Sequence, residues 1–354
     1  MSLLNTPLRL RPVYKDKIWG RRQWHPALPP AVPSDGKIGE IWVTDDASEF
    51  LHGPLKGRTL AEAVQKLGPE LCGRNWKDVR FPILAKYILT DDWLSLQVHP
   101  DDKAAQAYGD GPVGKMEMWY FFDCPSGSEL LFGLREGATL EKLQAAAGDG
   151  TLKNRMQTTH PRAGEAYMVE PGRVHAIGPG HVLFEVEQNC DLTYRMDDFG
   201  RVGQDGKPRP LHREKAFAVT RFDLPQPGPA PELRFPENFG ERRYLIACPY
   251  FAVEQLTYEK EAAWRGNPDR VEILTILSGQ GEFETGAGVE EAKLPFRTGE
   301  TWLVPPEMPA AQLVPDKHCE LLRYYVPDLE KDFIEPLRAR GVPEDAIRAA
   351  VYST

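Results

Sequence analysis

The chain has 354 residues, 41 % of them apolar, which supports a substantial core in one large or two ordinary domains and excludes a disordered class. Its net charge of −9 comes without a basic patch, which argues against nucleic acid as a partner. No apolar run approaches the ~18 residues of a membrane helix, and the opening MSLLNTPLRLRPVYKDK lacks the pattern of a signal peptide.

Thirty-one glycines and 32 prolines punctuate short runs rich in Val, Ile, Leu, Phe and Tyr, the pattern of a mainly β chain. In chain order, residues 59–67 predict a helix, opened by a Thr59/Glu62 capping box and followed by Gly68. Strands are predicted at 83–89, 94–99 and 116–122. A helix at 139–147 stops at Gly148, and strands follow at 165–169 and 182–187. Four prolines between Leu224 and Pro231 read as a stiff, extended connector. Beyond it, strands are predicted at 244–247, 252–258, 271–277, 301–304 and 320–326. The tail from Asp328 reads as two helices broken around Gly341-Val342-Pro343. Its apolar residues Phe333, Ile334, Leu337, Val342, Ile347 and Val351 recur near helical spacing and need a buried partner. Cys72, Cys124, Cys190, Cys248 and Cys319 are scattered, without a CxxC pair. They read as buried thiols in a reducing, cytoplasmic setting.

The two halves share a diverged repeat. Gly164-Glu165 opens a strand ending at Pro171, and Gly299-Glu300 opens one ending at Pro306. The first continues to His175, where the second has Ala310. Within 94–99, Ser95, Gln97 and His99 share one strand face and Leu94, Leu96 and Val98 the other. Lys115, Glu117 and Trp119 share a face of the next strand, and His175 follows a Pro-Gly turn. Two imidazoles, a carboxylate and the Gln97 oxygen suit zinc with a position left open. The same set suits Fe(II) as a two-His-one-carboxylate triad. On spacing alone, His99 and His175 read equally well as ordinary hydrogen-bonded histidines. His25, His52, His160, His181, His212 and His318 lack paired spacing and read as structural or surface groups.

Five segments carry a wider resemblance. They are Phe81-Pro82-Ile83-Leu84-Ala85-Lys86, Leu94-Ser95-Leu96-Gln97-Val98-His99-Pro100-Asp101-Asp102, Gly114-Lys115-Met116-Glu117-Met118-Trp119-Tyr120, Val174-His175-Ala176-Ile177-Gly178 and Asp191-Leu192-Thr193-Tyr194-Arg195. In their order and spacing the chain resembles class I mannose-6-phosphate isomerase in its short bacterial form. The resemblance implies two cupin-type jelly-roll β-barrels, the second degenerate, with small helical insertions and a helical tail. The corresponding layout is a metal-binding domain over 1–223, a linker over 224–236, a second cupin over 237–327 and the tail over 328–354. One zinc per chain is implied, held by His99, Glu117 and His175 with Gln97 as fourth ligand. Arg195 matches the family's active-site arginine and Lys115 a proton-transfer lysine, while Ser95, Lys86 and Arg201 fall at phosphate-contact positions. Glu40-Ile41-Trp42 departs from the expected Glu-Ser-Trp, and Glu187 from a Gln.

The implied reaction interconverts mannose 6-phosphate and fructose 6-phosphate through a zinc-assisted cis-enediol. Lys115 lies two residues before Glu117, so both point into one cavity, and a nearby dication would depress its pKa from ~10.4. Glu185 shares a strand face with Glu187 and is a second candidate for proton transfer. An iron-dependent cupin oxygenase and a non-catalytic sugar-phosphate binder are the competing readings.

Overall fold

Turn glycines and prolines break the chain into short extended runs. In this computed structural model, which describes residues 4–22, 25–26, 28–29, 36–203, 205–286 and 293–353, these runs become twenty named strands. Twelve precede the proline-rich segment: β1 (Leu8–Leu10), β2 (Val13–Arg21), β3 (Ile38–Trp42), β4 (Ile83–Leu89), β5 (Leu96–Val98), β6 (Glu117–Asp123), β7 (Leu130–Leu134), β8 (Met156–Thr159), β9 (Ala166–Val169), β10 (His175–Ile177), β11 (Val182–Gln188) and β12 (Tyr194–Asp197). Eight follow: β13 (Leu233–Glu237), β14 (Gly240–Ala247), β15 (Ala252–Tyr258), β16 (Ala262–Trp264), β17 (Glu272–Glu284), β18 (Lys293–Arg297), β19 (Thr301–Val304) and β20 (Ala311–Tyr325).

They form three sheets of mainly β, jelly-roll character. The five-stranded sheet runs β12-β5-β10-β7-β8 and the six-stranded one β2-β3-β4-β11-β6-β9. The nine-stranded sheet runs β1-β19-β17-β20-β15-β14-β13, with β16 on β20 and β18 on β17. Its first strand is the chain's first: Leu8 pairs with Leu303.

The six-stranded sheet is the middle layer. Side chains alternate across a strand, so Ala85, Tyr87, Phe184 and Val186 point one way, into a core shared with Ile273, Leu322 and Tyr324. Ile88, Trp119, Phe121 and Leu183 point the other way, onto Leu130, Phe132 and Ile177. The Phe184 and Tyr324 rings lie 5.8 Å apart on the first face, and Trp119 and Phe132 lie 5.3 Å apart on the second. Burial on both faces explains why β4 and β11 read as nearly unbroken apolar runs. Lys86, Glu185 and Glu187 interrupt those runs on the face toward the five-stranded sheet.

The two repeats agree in detail: Gly164 and Gly299 both take a left-handed φ, of 85° and 83°, just before β9 and β19. The predicted capping box is formed, with Thr59 and Glu62 bonding each other's backbone N–H ahead of helix Leu60–Leu67. The second predicted helix runs through Gly148 as Leu140–Asp149, because the left-handed turn that ends it falls at Gly150, φ 76°. The strand at 271–277 continues to Glu284, carried past Ser278 and Gly279 by register shifts against β20. The five cysteines are free thiols; Cys124 and Cys190 are half-buried rather than buried. No helix among the described residues is long and apolar enough to cross a membrane.

The C-terminal tail packs on the nine-stranded sheet. Phe333, Leu337, Ile347 and Ala350 join Tyr244, Ala247, Ala252 and Tyr325 in one core, with Phe333 edge-on to Tyr244 at 5.1 Å. Val351 bridges to Ala247. Phe333→Ala should lower unfolding free energy by about 3–5 kcal/mol, the cost of emptying a buried aromatic site. Chemical denaturation measures this, and the metal content of the folded protein should stay unchanged.

Candidate active site

Strand register assembles the site. β5 lies between β10 and β12, and Gln97 is the Cα partner of both His175 and Arg195. These three therefore form a row on one face of the five-stranded sheet. His99 follows the end of β5, and its carbonyl accepts from the Gly172 N–H at 2.9 Å. Gly172 holds φ 86°, and a Cβ there would meet the Val219 carbonyl at 2.8 Å, so the turn that delivers His175 requires glycine. Across the gap, Glu117 pairs with Glu187, Trp119 with Glu185, and Glu185 with Lys86.

Glu117 Oε1 lies 3.6 Å from His99 Nε2 and 3.5 Å from His175 Nε2. On the far side of each ring, His99 Nδ1 is 2.8 Å from the Leu192 carbonyl and His175 Nδ1 is 2.9 Å from the Arg173 carbonyl. A carbonyl only accepts, so both imidazoles carry their proton on Nδ1 and turn a bare Nε2 toward Glu117. His99 Nε2 and Glu117 Oε1 are buried and have no hydrogen-bond partner. Acceptors facing one another in a dry space are costly unless a cation lies among them. Their separations approach the about 3.3 Å edge of a tetrahedron built on bonds of 2.0–2.1 Å. His99, Glu117 and His175 thus fit a zinc-sized cation. Burial, reinforced by neighbouring His99, pulls His175 down to about 4, so its imidazole is neutral at physiological pH. Burial pushes Glu117 up, but Lys115 and His99 together hold it well below the usual carboxylate range.

Gln97 stands beside the triad with its amide nitrogen 3.3 Å from His175 Nε2, while its oxygen accepts from Ser95 Oγ at 3.0 Å. The two ends of the amide must exchange before Gln97 offers an oxygen to a metal.

Next to the triad is a buried charge network. Lys115 Nζ lies 2.5 Å from Glu187, 3.0 Å from Glu117 and 3.3 Å from Glu185. Lys86 Nζ lies 3.0 Å from both Glu185 and Glu187 and 3.5 Å from Asp191. Trp119 Nε1 donates to Glu185 at 2.9 Å. Burial pulls Lys115 down, but Glu117, Glu185 and Glu187 outweigh it and hold the ammonium well above its ordinary value. The protein's own charges therefore oppose the depression expected for this lysine. Burial and Glu117 raise Glu185, yet Lys115 and Lys86 keep it below the usual range; Glu187 goes the other way, because burial dominates there.

A cavity of about 540 Å³ opens over this network. Ser95, Gln97, Lys86, Lys115, Glu185 and Arg195 all line it. Arg201 does not: its guanidinium is engaged by Asp198, Asp92 and the Trp93 carbonyl. The wall also includes groups that the sequence reading passed over. Arg209 bonds Asp198 and lies 5.1 Å over Trp19, Lys17 pairs with Glu40 at 3.1 Å, and His212 Nδ1 accepts the Arg195 backbone N–H at 3.1 Å. The pairing of Arg195 with Pro210 and His212 joins chain segments 15 to 17 residues apart through coil, which no alternation signals.

Residues 8–118 match the family described as phosphomannose isomerase type I, catalytic domain. The chain is 31 % identical over 307 residues to mannose-6-phosphate isomerase ManA of Bacillus subtilis, covering 84 % of this chain and 93 % of that protein. It is 30 % identical over 284 residues to the mannose-6-phosphate isomerase of Streptococcus mutans, covering 79 % and 87 %. The crystal structure of mannose 6-phosphate isomerase from Bacillus subtilis superposes with a TM-score of 0.82 at 27 % identity, over 90 % of this chain and 99 % of that one.

His99→Ala should abolish tight metal binding, because an open site has few ligands to spare. Elemental analysis after dialysis should find about one metal per chain in the parent protein and essentially none in the variant.

Proposed function

Because the chain belongs to the type I phosphomannose isomerase family, we propose that it interconverts mannose 6-phosphate and fructose 6-phosphate, with zinc as its metal. The observation that carries this reading is the convergence of two bare imidazole nitrogens and a carboxylate, 3.5–3.6 Å apart, beside a cavity flanked by Lys115, Glu185 and Arg195. A zinc ion bound there would supply Lewis acidity to the sugar oxygens, and its charge would offset the carboxylates' hold on Lys115. An oxygenase built on the same triad would leave the Lys86–Glu185–Lys115 array without a role.

The chain's own groups account for the proton traffic. The reaction moves a proton between C1 and C2 of the open-chain sugar through a cis-enediol, so one group must reach a carbon-bound proton. Lys115 is the first candidate: it lines the cavity, touches Glu117 and is held in place by Glu185 and Glu187. Glu185 is the alternative, an ionised carboxylate steadied by Trp119 and Lys86. Arg195 offers a planar fork for an anionic oxygen, and Ser95 and Lys86 line the same cavity. An anionic sugar substrate and unpaired thiols both fit a cytoplasmic enzyme.

NMR of mannose 6-phosphate in heavy water tests the reading: fructose 6-phosphate should accumulate with deuterium uptake at the exchanging carbon. Lys115→Met should retain zinc and lower kcat by roughly 10²–10⁴, the scale of a lost general base. A Lys115→Met enzyme that still exchanged the C2 proton, alongside a Glu185→Gln enzyme that did not, would transfer the role of base to the carboxylate.

A further inference from the structure

We infer that Arg173 is a positioning residue for the metal ligand His175, holding the ligand's tautomer and aim through a backbone carbonyl that its own side chain anchors. The carbonyl is the one that His175 Nδ1 faces at 2.9 Å. An imidazole can present either nitrogen, and the partner of the far one decides which is bare. The position of the Arg173 carbonyl therefore sets the direction of His175 Nε2.

That carbonyl sits in the turn between β9 and β10, where the Arg173 N–H donates to the Glu170 carbonyl at 3.0 Å. The side chain adds restraints of its own. Arg173 is 4 % exposed, and its guanidinium grips Glu170 in a fork, Nε to Oε2 at 2.6 Å and Nη2 to Oε1 at 2.9 Å. Nη1 donates to the Pro225 carbonyl at 3.1 Å, tying the turn to the proline-rich segment. The plane lies 5.4 Å over Phe132, the Cα partner of His175 on β7. Three directions of restraint thus meet on one residue, whose carbonyl faces the His175 ring. The fork suits arginine in particular, since lysine offers a point charge and cannot bond Glu170 twice while reaching Pro225.

His99 provides the internal comparison. Its Nδ1 faces the Leu192 carbonyl, which follows Asp191, the partner of Lys86, and owes nothing to Arg173. A change at Arg173 should therefore disturb one imidazole and spare the other. This rests on the metal reading of the triad, and the two fail differently: zinc binding by the parent protein tests the triad, and the contrast between the two histidines tests the anchor.

The experiment uses the full chain. Zinc affinity is measured by chelator competition, and the ring-nitrogen tautomers of the zinc-free protein by long-range ¹H–¹⁵N correlation. Arg173→Ala should weaken zinc binding about 10- to 100-fold, the usual scale for a lost outer partner of a ligand. His175 should lose its pure Nδ1–H signature while His99 keeps its own. Arg173→Lys should recover part of the affinity. If Arg173→Ala does not fold, Glu170→Gln, which removes one charged arm of the fork, should give the same selective change in weaker form. Unchanged zinc affinity in the folded variants, or equal disturbance of both imidazoles, would overturn the proposal.

Discussion

Lys86, Lys115, Glu117, Glu185 and Glu187 are buried together between two sheets, and the rest of the first half is arranged around that fact. Removing a charge from water costs several kcal/mol per ion even after relaxation, and only close, well-directed partners return it. The partners are close: Lys86 and Lys115 each touch both Glu185 and Glu187 within 3.3 Å. Loops would hold such distances poorly. Lys86, Glu185, Glu187 and Glu117 stand instead on β4, on β11 and at the start of β6, at alternate positions whose intervening neighbours are locked in the apolar core against the nine-stranded sheet, and Lys115 lies in the coil just before β6 with its N–H bonded to the Pro100 carbonyl at 3.0 Å. Core packing on one face of the middle layer is thus what keeps the polar face in register.

The imidazoles rely on a different device. Neither is oriented by a carboxylate on its Nδ1 side; each is oriented by a main-chain carbonyl, of Leu192 or Arg173. Neutral acceptors fix the tautomer without adding negative charge beside Glu117, Glu185 and Glu187, which already cluster there. The charge balance near the metal triad is then set almost entirely by the lysine–glutamate network, where Glu187 stands in place of an expected neutral amide. Burial raises the proton affinity of Glu187 against the opposing pull of Lys115 and Lys86.

The sequence carried much of this in plain form. Alternation in 94–99 put Ser95 and Gln97 on the polar face, and the offset of Lys115 from Glu117 anticipated their contact, because side-chain direction in a strand has period two. Register between strands distant in the chain has no such local signal. Nothing in VLFEVEQ states that it will lie between β4 and β6, which is what brings Glu185 to Lys86 on one side and Trp119 on the other. Trp19, Arg209 and His212 were missed for the same reason: they reach the cavity from an irregular edge strand and from coil. Arg201 is the converse case: the resemblance implied a phosphate-contact position for it, while its capture by Asp198 had no local signal. The tail's need for a buried partner was legible from helical spacing, whereas the identity of that partner depended on the outer face of a sheet formed by other strands.

The pairing of Leu8 with Leu303 has a consequence for how the chain acquires its shape. β1 is bonded on one side to nearby residues, where the Leu51 N–H donates to the Arg9 carbonyl at 2.9 Å and Leu10 bridges to Phe50, and on the other to β19, far along the chain. The bonds to residues 49–51 join neighbouring segments, whereas the pairing with β19 joins segments far apart in sequence. Contacts so distant in sequence are slow to form, because the entropy of closing the loop comes before any gain from pairing. The β1–β19 pairing therefore belongs to the slow, long-range part of folding, apart from the local contacts of β1. Until it forms, the β19 edge stays open to foreign strands.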